Sequence, residues 1–139
     1  MADKNISALT AGTTPDGTEK LHVIQGANSR RLTTADVAAI GLAFNTQVGT
    51  AYTAVATDRG KWIRFTNASA VTFTINSGVH TAGDEITLEQ AGTGVVTVTA
   101  GAGVTVNSRG SLIATNGPYA VATLKCISSS VFTLVGDLV

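Results

Sequence analysis

"EQAGTGVVTVTAGAGVTV", residues 89–106, decides how the fold is predicted, because it sets two Gly-x-Gly pairs within a run of valine and threonine. A dinucleotide-binding fingerprint needs a third glycine three residues after the second, and then a helix. Gly92 and Gly94 are instead followed by Val95 to Thr99, in which β-branched residues alternate with period two. Such residues suit a pleated strand better than a helix. We therefore expect these glycines to form turns and bulges between strands rather than a nucleotide-binding loop.

The same alternation continues over most of the chain after residue 50. Val71, Phe73 and Ile75 would point to one side of a strand, and the two threonines between them to the other. Turn sequences rich in glycine, asparagine and aspartate separate these runs at about the 8- to 12-residue spacing typical of a sandwich or barrel. The pattern predicts strands near 51–57, 61–66, 70–76, 84–90, 95–99, 103–107, 111–115, 119–127 and 131–136.

These strands predict an all-β fold, a compact antiparallel β-sandwich or jelly-roll-like barrel with a short N-terminal arm and one short helix. We find no strict sequence repeat, which favours a sandwich over a solenoid. The predicted domains are an N-terminal docking arm over residues 1–50 and a β-sandwich domain over residues 51–139.

The predicted arm has four parts. Residues 12–20 are a turn cluster with Pro, Asp and Gly, residues 21–25 are a short strand, and residues 26–31 are a second turn. Residues 33–43 are the only convincing helix, because Thr33 or Thr34 can cap it and an aspartate follows in the first turn.

Composition narrows the function classes. The 139 residues fit one domain with a short N-terminal appendage, and nine basic residues balance nine acidic ones. Because phosphate binding needs clustered Lys and Arg, this balance argues against nucleic acid as a partner. Only 13% of residues are charged and the mean hydropathy is +0.28, which favours burial of surface in an oligomer. We expect no secretory signal, no membrane-spanning segment and synthesis in the cytoplasm.

The reactive side chains are few, so we predict no enzyme, no cofactor and no metal site. The single cysteine, Cys126, lies in an alternating run and is predicted to be a buried structural thiol. The only histidines, His22 and His80, lack the neighbouring ligands of a zinc site. Glu85 and Glu89 share one strand face about 13 Å apart, which is too far for a glycosidase pair and typical of a solvated face.

Trp62 and Arg64 would share one side of a strand in residues 61–66. A tryptophan beside surface polar groups can form a platform for a sugar ring, while a lone tryptophan is more often part of the core. Both interpretations stay open, and Trp62 and Arg64 are the candidate glycan-binding residues.

Two stretches resemble proteins of tailed-bacteriophage virions. Residues 6–40 are similar to the opening segment of tail fibres and tailspikes, with "ISAL", "DGTE" and "VIQG" in order before the "TTADV" helix start. Residues 52–139 look like a β-domain of phage fibre and structural proteins, with "DRGK", "FTN", "GDEITLEQAGTGVV" and a terminal "FTLVGDL". Together the two stretches cover nearly the whole chain.

The resemblance implies a structural virion protein, made in the host cytoplasm, that forms a homotrimer and docks through its first forty or so residues. The partners would be further copies and other virion proteins, namely the tail, portal or major capsid protein. The candidate docking residues are Leu21, Val23, Ile24, Arg30 and Arg31.

No receptor-reading or glycan-cleaving domain is recognisable in the chain, so we expect a short tail-associated or adaptor subunit. A capsid decoration protein and a carbohydrate-binding module for host glycans are the two alternatives.

Overall fold

The computed structural model describes residues 20–25, 28–33 and 44–139. The chain divides into two compact units, Met1–Gly41 and Leu42–Val139. The described residues are mostly β-strand and contain no helix of seven residues or more, so the all-β prediction is confirmed for them.

The first unit contains a hairpin of two antiparallel strands, β1 (Lys20–Gln25) and β2 (Asn28–Thr33). The strand predicted at 21–25 is confirmed. The turn predicted at 26–31 is wrong from residue 28 onwards, because these residues pair with β1. Of the helix predicted at 33–43, Thr33 ends β2 and the rest lies outside the described residues, as does most of the turn cluster at 12–20.

The second unit begins with a strand that the sequence pattern missed, β3, and continues with eight more. Two short 3-10 turns, Ala56–Asp58 and Arg109–Ser111, lie between them. The strands are β3 (Phe44–Gln47), β4 (Ala51–Thr53), β5 (Trp62–Phe65), β6 (Val71–Ile75), β7 (Glu85–Gln90), β8 (Val96–Ala100), β9 (Thr105–Ser108), β10 (Val121–Ser128) and β11 (Val131–Gly136).

The prediction of an antiparallel sandwich or jelly-roll barrel is wrong, because the strands from β3 to β8 stack in parallel as a β-solenoid. Strands β3, β5 and β7 form one parallel stack, and β4, β6 and β8 form another. The chain alternates between the two stacks, so each coil of the solenoid gives one strand to each.

The last two coils keep a constant offset along the chain. Trp62 pairs with Thr87 in the first stack, and Val71 pairs with Val96 in the second. Equivalent positions of these coils are separated by 25 in sequence number, as are Thr93 and Ala68, which a hydrogen bond joins. The offset between these two coils is therefore the same in both stacks.

The C-terminal strands close one end of the solenoid by antiparallel pairing. Strand β10 pairs with β7, and β11 pairs with β10 and, in parallel, with β9, which gives a six-stranded sheet in the order β3-β5-β7-β10-β11-β9. The strand predicted at 111–115 is wrong, because only single bridges form there: Ala114 to Thr97, and Thr115 to Leu138. These bridges place residues 114 and 115 between the chain end and β8 of the three-stranded sheet β4-β6-β8.

The apolar core lies between the two stacks, and the inward rows follow the predicted alternation. Phe73 and Ile75 of β6 are fully buried, and so is Leu88 of β7. Three aromatic rings pack at one end, with Phe65 edge-on to Phe73 at 6.0 Å between ring centroids. The core residues are Ala54, Ile63, Phe65, Val71, Phe73, Ile75, Ile86, Leu88, Val96, Val98, Ala122, Leu124, Cys126, Phe132 and Leu134.

The glycines of residues 89–106 mark where successive coils touch. A Cβ atom at Gly94 would overlap the Ser69 carbonyl oxygen, and one at Gly92 would overlap that of Asn67. Both contacts join a position to its equivalent in the preceding coil. The turn interpretation is correct for Gly103, whose φ is +73°. At Gly92 and Gly94 the reason for glycine is instead the close approach of two backbones.

Candidate functional site

The outer face of the six-stranded sheet is the candidate functional site. The strand register aligns five outward residues across five neighbouring strands, and we call this set the central row. Three of its members are large or apolar, and two of these are well exposed, Phe44 at 68% and Val135 at 45%. The central row consists of Phe44, Trp62, Thr87, Thr123 and Val135.

Two ion pairs flank the central row, one on each side. Arg64 Nε lies 3.3 Å from Glu89 Oε2 across β5 and β7. Lys125 pairs with Glu85 across β10 and β7. Each pair joins residues that are direct neighbours in the register, so both charges of each pair belong to the same face. The interpretation of Glu89 as a solvated carboxylate is wrong, since its side chain is only 15% exposed.

Trp62 and Arg64 lie on the same side of β5, and Glu89 holds both of them. Trp62 Nε1 donates a hydrogen bond to Glu89 Oε2 at 3.0 Å, and this is the oxygen that faces Arg64. The Phe44 ring lies 6.1 Å from the Trp62 ring, tilted by 45°. The indole is therefore fixed on both sides, by a hydrogen bond and by a ring contact.

A shallow cleft of about 450 Å³ lies over these residues. Its lining combines two aromatic rings with a guanidinium, a carboxylate and a hydroxyl, and such groups can stack on a sugar ring and bond its hydroxyls. Sequence reasoning identified Trp62 and Arg64 but missed Phe44, Thr46 and Glu89. The cleft is lined by Phe44, Thr46, Trp62, Arg64 and Glu89.

The outer face of the three-stranded sheet differs sharply from the first. Its outward positions carry threonine in rows that run across the strands, with Thr53 beside Thr74 and Thr74 beside Thr99. A second row pairs Thr72 with Thr97. Hydroxyl groups on this face can bond water.

A polar cluster closes the core at the first coil, where Asn45 and Gln47 occupy the inward positions of β3 next to Ile63 and Phe65. Its centre is the Asp58 carboxylate, which is completely buried. Asp58 accepts hydrogen bonds from Asn45 Nδ2 at 2.9 Å, Tyr52 Oη at 2.8 Å and the backbone N–H of Val55 at 3.0 Å.

These contacts make the Asp58 cluster structural. Lys61 Nζ lies 3.9 Å from Asp58 Oδ1 and balances its charge. Burial raises the pKa of Tyr52, and its hydrogen bond to Asp58 raises that pKa further. A carboxylate without solvent access cannot reach a substrate, so Asp58 joins β3, β4 and the turn at 56–58 rather than serving as a catalytic acid or base.

His80 and Cys126 are also buried, at 1% and 4% exposure. Burial lowers the pKa of His80, while the carboxylates of Asp84 and Asp58 oppose this shift. Neither ring nitrogen of His80 has a hydrogen-bond partner among the described residues, and Nδ1 lies 3.8 Å from Asp84 Oδ2. Burial raises the pKa of the Cys126 thiol, which donates to the Ser128 carbonyl at 3.0 Å. This is the environment of an inert thiol.

An apolar groove of about 620 Å³ lies at the opposite edge of the six-stranded sheet, beside β9 and β11. Leu112 and Leu138 line it together with Val135, the last member of the central row, and Arg109 stands at the 3-10 turn beside it. The apolar surface of the face therefore continues around this edge.

The candidate docking residues of the arm are divided by the hairpin register. Positions Leu21, Val23 and Arg30 fall on one face of the hairpin, and Ile24 and Arg31 fall on the other. The five positions thus do not form a single surface on the hairpin.

Among residues 20–25, 28–33 and 44–139, no cluster of His, Cys, Asp and Glu is arranged to hold a metal ion. Within the same residues, no helix has the length and hydropathy required to span a bilayer.

Comparison of the sequence with protein-family models finds no match, and comparison with curated proteins finds none either.

Proposed function

We propose that this chain is a non-enzymatic structural subunit of a tailed-bacteriophage virion, a short tail- or fibre-associated or adaptor protein that assembles as a homo-oligomer. The observation that carries the proposal is the outer face of the six-stranded sheet. This face presents the uncharged central row between two ion pairs, Arg64 with Glu89 and Lys125 with Glu85. A centre without charges and a rim of paired charges are typical of protein–protein interfaces.

The interior supports a structural role rather than catalysis. Two buried polar groups hold the fold together: Asp58 accepts hydrogen bonds from three donors, and Gln90 accepts one from Thr115. An enzyme needs such groups at a surface that a substrate can reach.

The proposed location in the virion rests on the resemblance of residues 6–40 and 52–139 to phage fibre proteins. In this assembly the first forty or so residues dock the subunit to the tail or portal. A capsid decoration protein on the major capsid protein is the alternative in the same class. The number of copies per particle distinguishes the two, because a shell carries hundreds of decoration subunits and a tail carries about a dozen fibre-type subunits.

Binding of a host-surface glycan is the second candidate function, and the cleft at Trp62 favours it. Phe44 and Trp62 give two ring faces, and Glu89 fixes the indole before any ligand arrives. A fixed platform loses little entropy on binding, which suits the weak contacts of a sugar. Binding to a glycan array that is lost in Trp62→Ala and kept in Tyr119→Ala, an exposed aromatic residue elsewhere, would support this function. No binding would rule it out.

The test of the leading proposal is to locate the protein in phage particles. Antibody labelling and electron microscopy of particles should place the chain on the tail or its fibres, and quantitative mass spectrometry should count about a dozen copies against the portal. Hundreds of copies on the shell would favour decoration instead. Absence from purified particles would overturn a virion role of either kind.

A further inference from the structure

We infer that a second copy of this chain covers the central row, so that the outer face of the six-stranded sheet is the subunit interface. The inference rests on the proposed homo-oligomeric function and adds the surface on which the oligomer forms. The central row extends across five strands, or about 19 Å at the usual strand spacing.

The contrast between the two outer faces selects this surface. The three-stranded sheet offers water a row of hydroxyl groups, as at Thr53, Thr74 and Thr99. The six-stranded sheet exposes Phe44, Trp62 and Val135 to water in the central row. Removing apolar surface from water contributes roughly 25 cal/mol for each Å². Association therefore gains more free energy on the outer face of the six-stranded sheet than on that of the three-stranded sheet.

The charges of the face are compatible with burial. Arg64 is paired with Glu89 and Lys125 with Glu85, so covering the central row leaves each of these four charges beside its partner. An unpaired charge taken out of water would cost several kcal/mol and would oppose association. The charges that flank the central row therefore cancel in two pairs.

This neutrality also indicates what the partner is. A partner of strong charge, such as a nucleic acid or an acidic protein, is selected by unpaired charges of the opposite sign. The four charges that flank the central row are paired within the face, while an identical copy presents the same uncharged row. The whole chain has a net charge of zero, so two copies approach each other without repulsion.

The interface is tested by substituting two valines of similar exposure, one inside the central row and one outside it. Val135 lies at the end of the central row and is 45% exposed, whereas Val55 lies beside the turn at 56–58, away from the row, and is 47% exposed. We would measure the mass of wild type, Val135→Glu and Val55→Glu by light scattering over a range of concentrations. Phe44→Glu, at the other end of the row, is the second interface variant. Circular dichroism and urea unfolding check that each variant is folded.

Wild type should have the mass of two or more copies of the 14.1 kDa chain. Burying a new carboxylate should weaken association about tenfold or more in Val135→Glu and in Phe44→Glu, and Val55→Glu should associate like wild type. Undiminished association of both interface variants would overturn this surface and leave the homo-oligomer standing. A wild-type protein that stays monomeric at every concentration would overturn the homo-oligomer as well, and location of the chain in particles would still test its virion role separately.

Discussion

Gly94 lies directly against the carbonyl group of Ser69, its equivalent in the preceding coil, and no side chain fits between them. The contact is between the backbones of two successive coils, and the N–H of Gly94 also donates to the Asn67 carbonyl at 3.1 Å. The coils can therefore stack at this corner only if residue 94 has no Cβ atom.

Gly94→Ala should destabilise the second unit by about 1–3 kcal/mol, because the added methyl group forces two backbones apart. Gly49→Ala is the matched control, since a Cβ at Gly49 meets its nearest atom at 3.6 Å. That control should change stability by no more than about 0.5 kcal/mol. Urea unfolding followed by circular dichroism measures both. Equal stability of the two variants would contradict the close stacking at Ser69.

Asp58→Ala should be among the most destabilising single changes in the solenoid, by about 3–5 kcal/mol. The substitution leaves Asn45, Tyr52 and Lys61, which are half-buried, without the buried carboxylate that they share. Asp137→Ala removes an aspartate whose bond to Asn116 is exposed, and this control should cost about 1 kcal/mol or less.

The free energy of unfolding of the two aspartate variants, measured in urea, decides the role of the Asp58 cluster. If Asp58→Ala costs no more than Asp137→Ala, the cluster does not hold the first coil in place.

His80 should make stability depend on pH near neutrality. Its pKa is lowered by burial below the ordinary value of 6.5, so the unfolded chain binds a proton more readily than the folded one. The contribution of His80 to stability is therefore complete above pH 6.5 and is lost as the pH falls through 6.5 towards the lower folded pKa.

Urea unfolding between pH 8 and pH 5.5, above the range in which most carboxylates titrate, isolates this effect. His80→Leu should remove much of the slope, since the ring nitrogens of His80 have no hydrogen-bond partners among the described residues and a leucine fills a similar volume. The same slope in wild type and variant would assign the pH dependence to other groups.

The individual strands were largely predictable because alternation is a local property. The sequence pattern placed β6 and β7 within a residue of their bounds, and it placed Val71, Phe73 and Ile75 on one side of a strand, which is the buried side. Pairing is not local, and nothing in the alternation distinguishes a parallel from an antiparallel neighbour.

A short repeat that matches the offset between the last two coils is nevertheless present. "VTFTINSGV" at 71–79 and "VTVTAGAGV" at 96–104 have the same first and last valine, the same two threonines and the same late glycine. It was missed because only two coils keep this offset, and the first coil is shorter, with Phe44 paired to Trp62. A period seen twice is a weak signal by itself.

The candidate site was only partly predictable for the same reason. Trp62 and Arg64 are neighbours on one strand, so their common side follows from the period of that strand. Phe44 and Glu89 come from the preceding and the following coil, and only the stacking of the coils brings them to Trp62. These two residues could not be found without the register.

The parallel register of successive coils is tested most directly by a disulfide between Thr72 and Thr97, which are partners on the outer face of β6 and β8. In a Cys126→Ala background, Thr72→Cys with Thr97→Cys should oxidise to an intrachain disulfide found by peptide mapping, because neighbouring strands lie about 4.8 Å apart. The pair Thr72→Cys with Thr99→Cys lies on a diagonal of about 8 Å and should stay reduced under the same mild oxidation. Failure of the first pair to close, or equal closure of both, would contradict the solenoid.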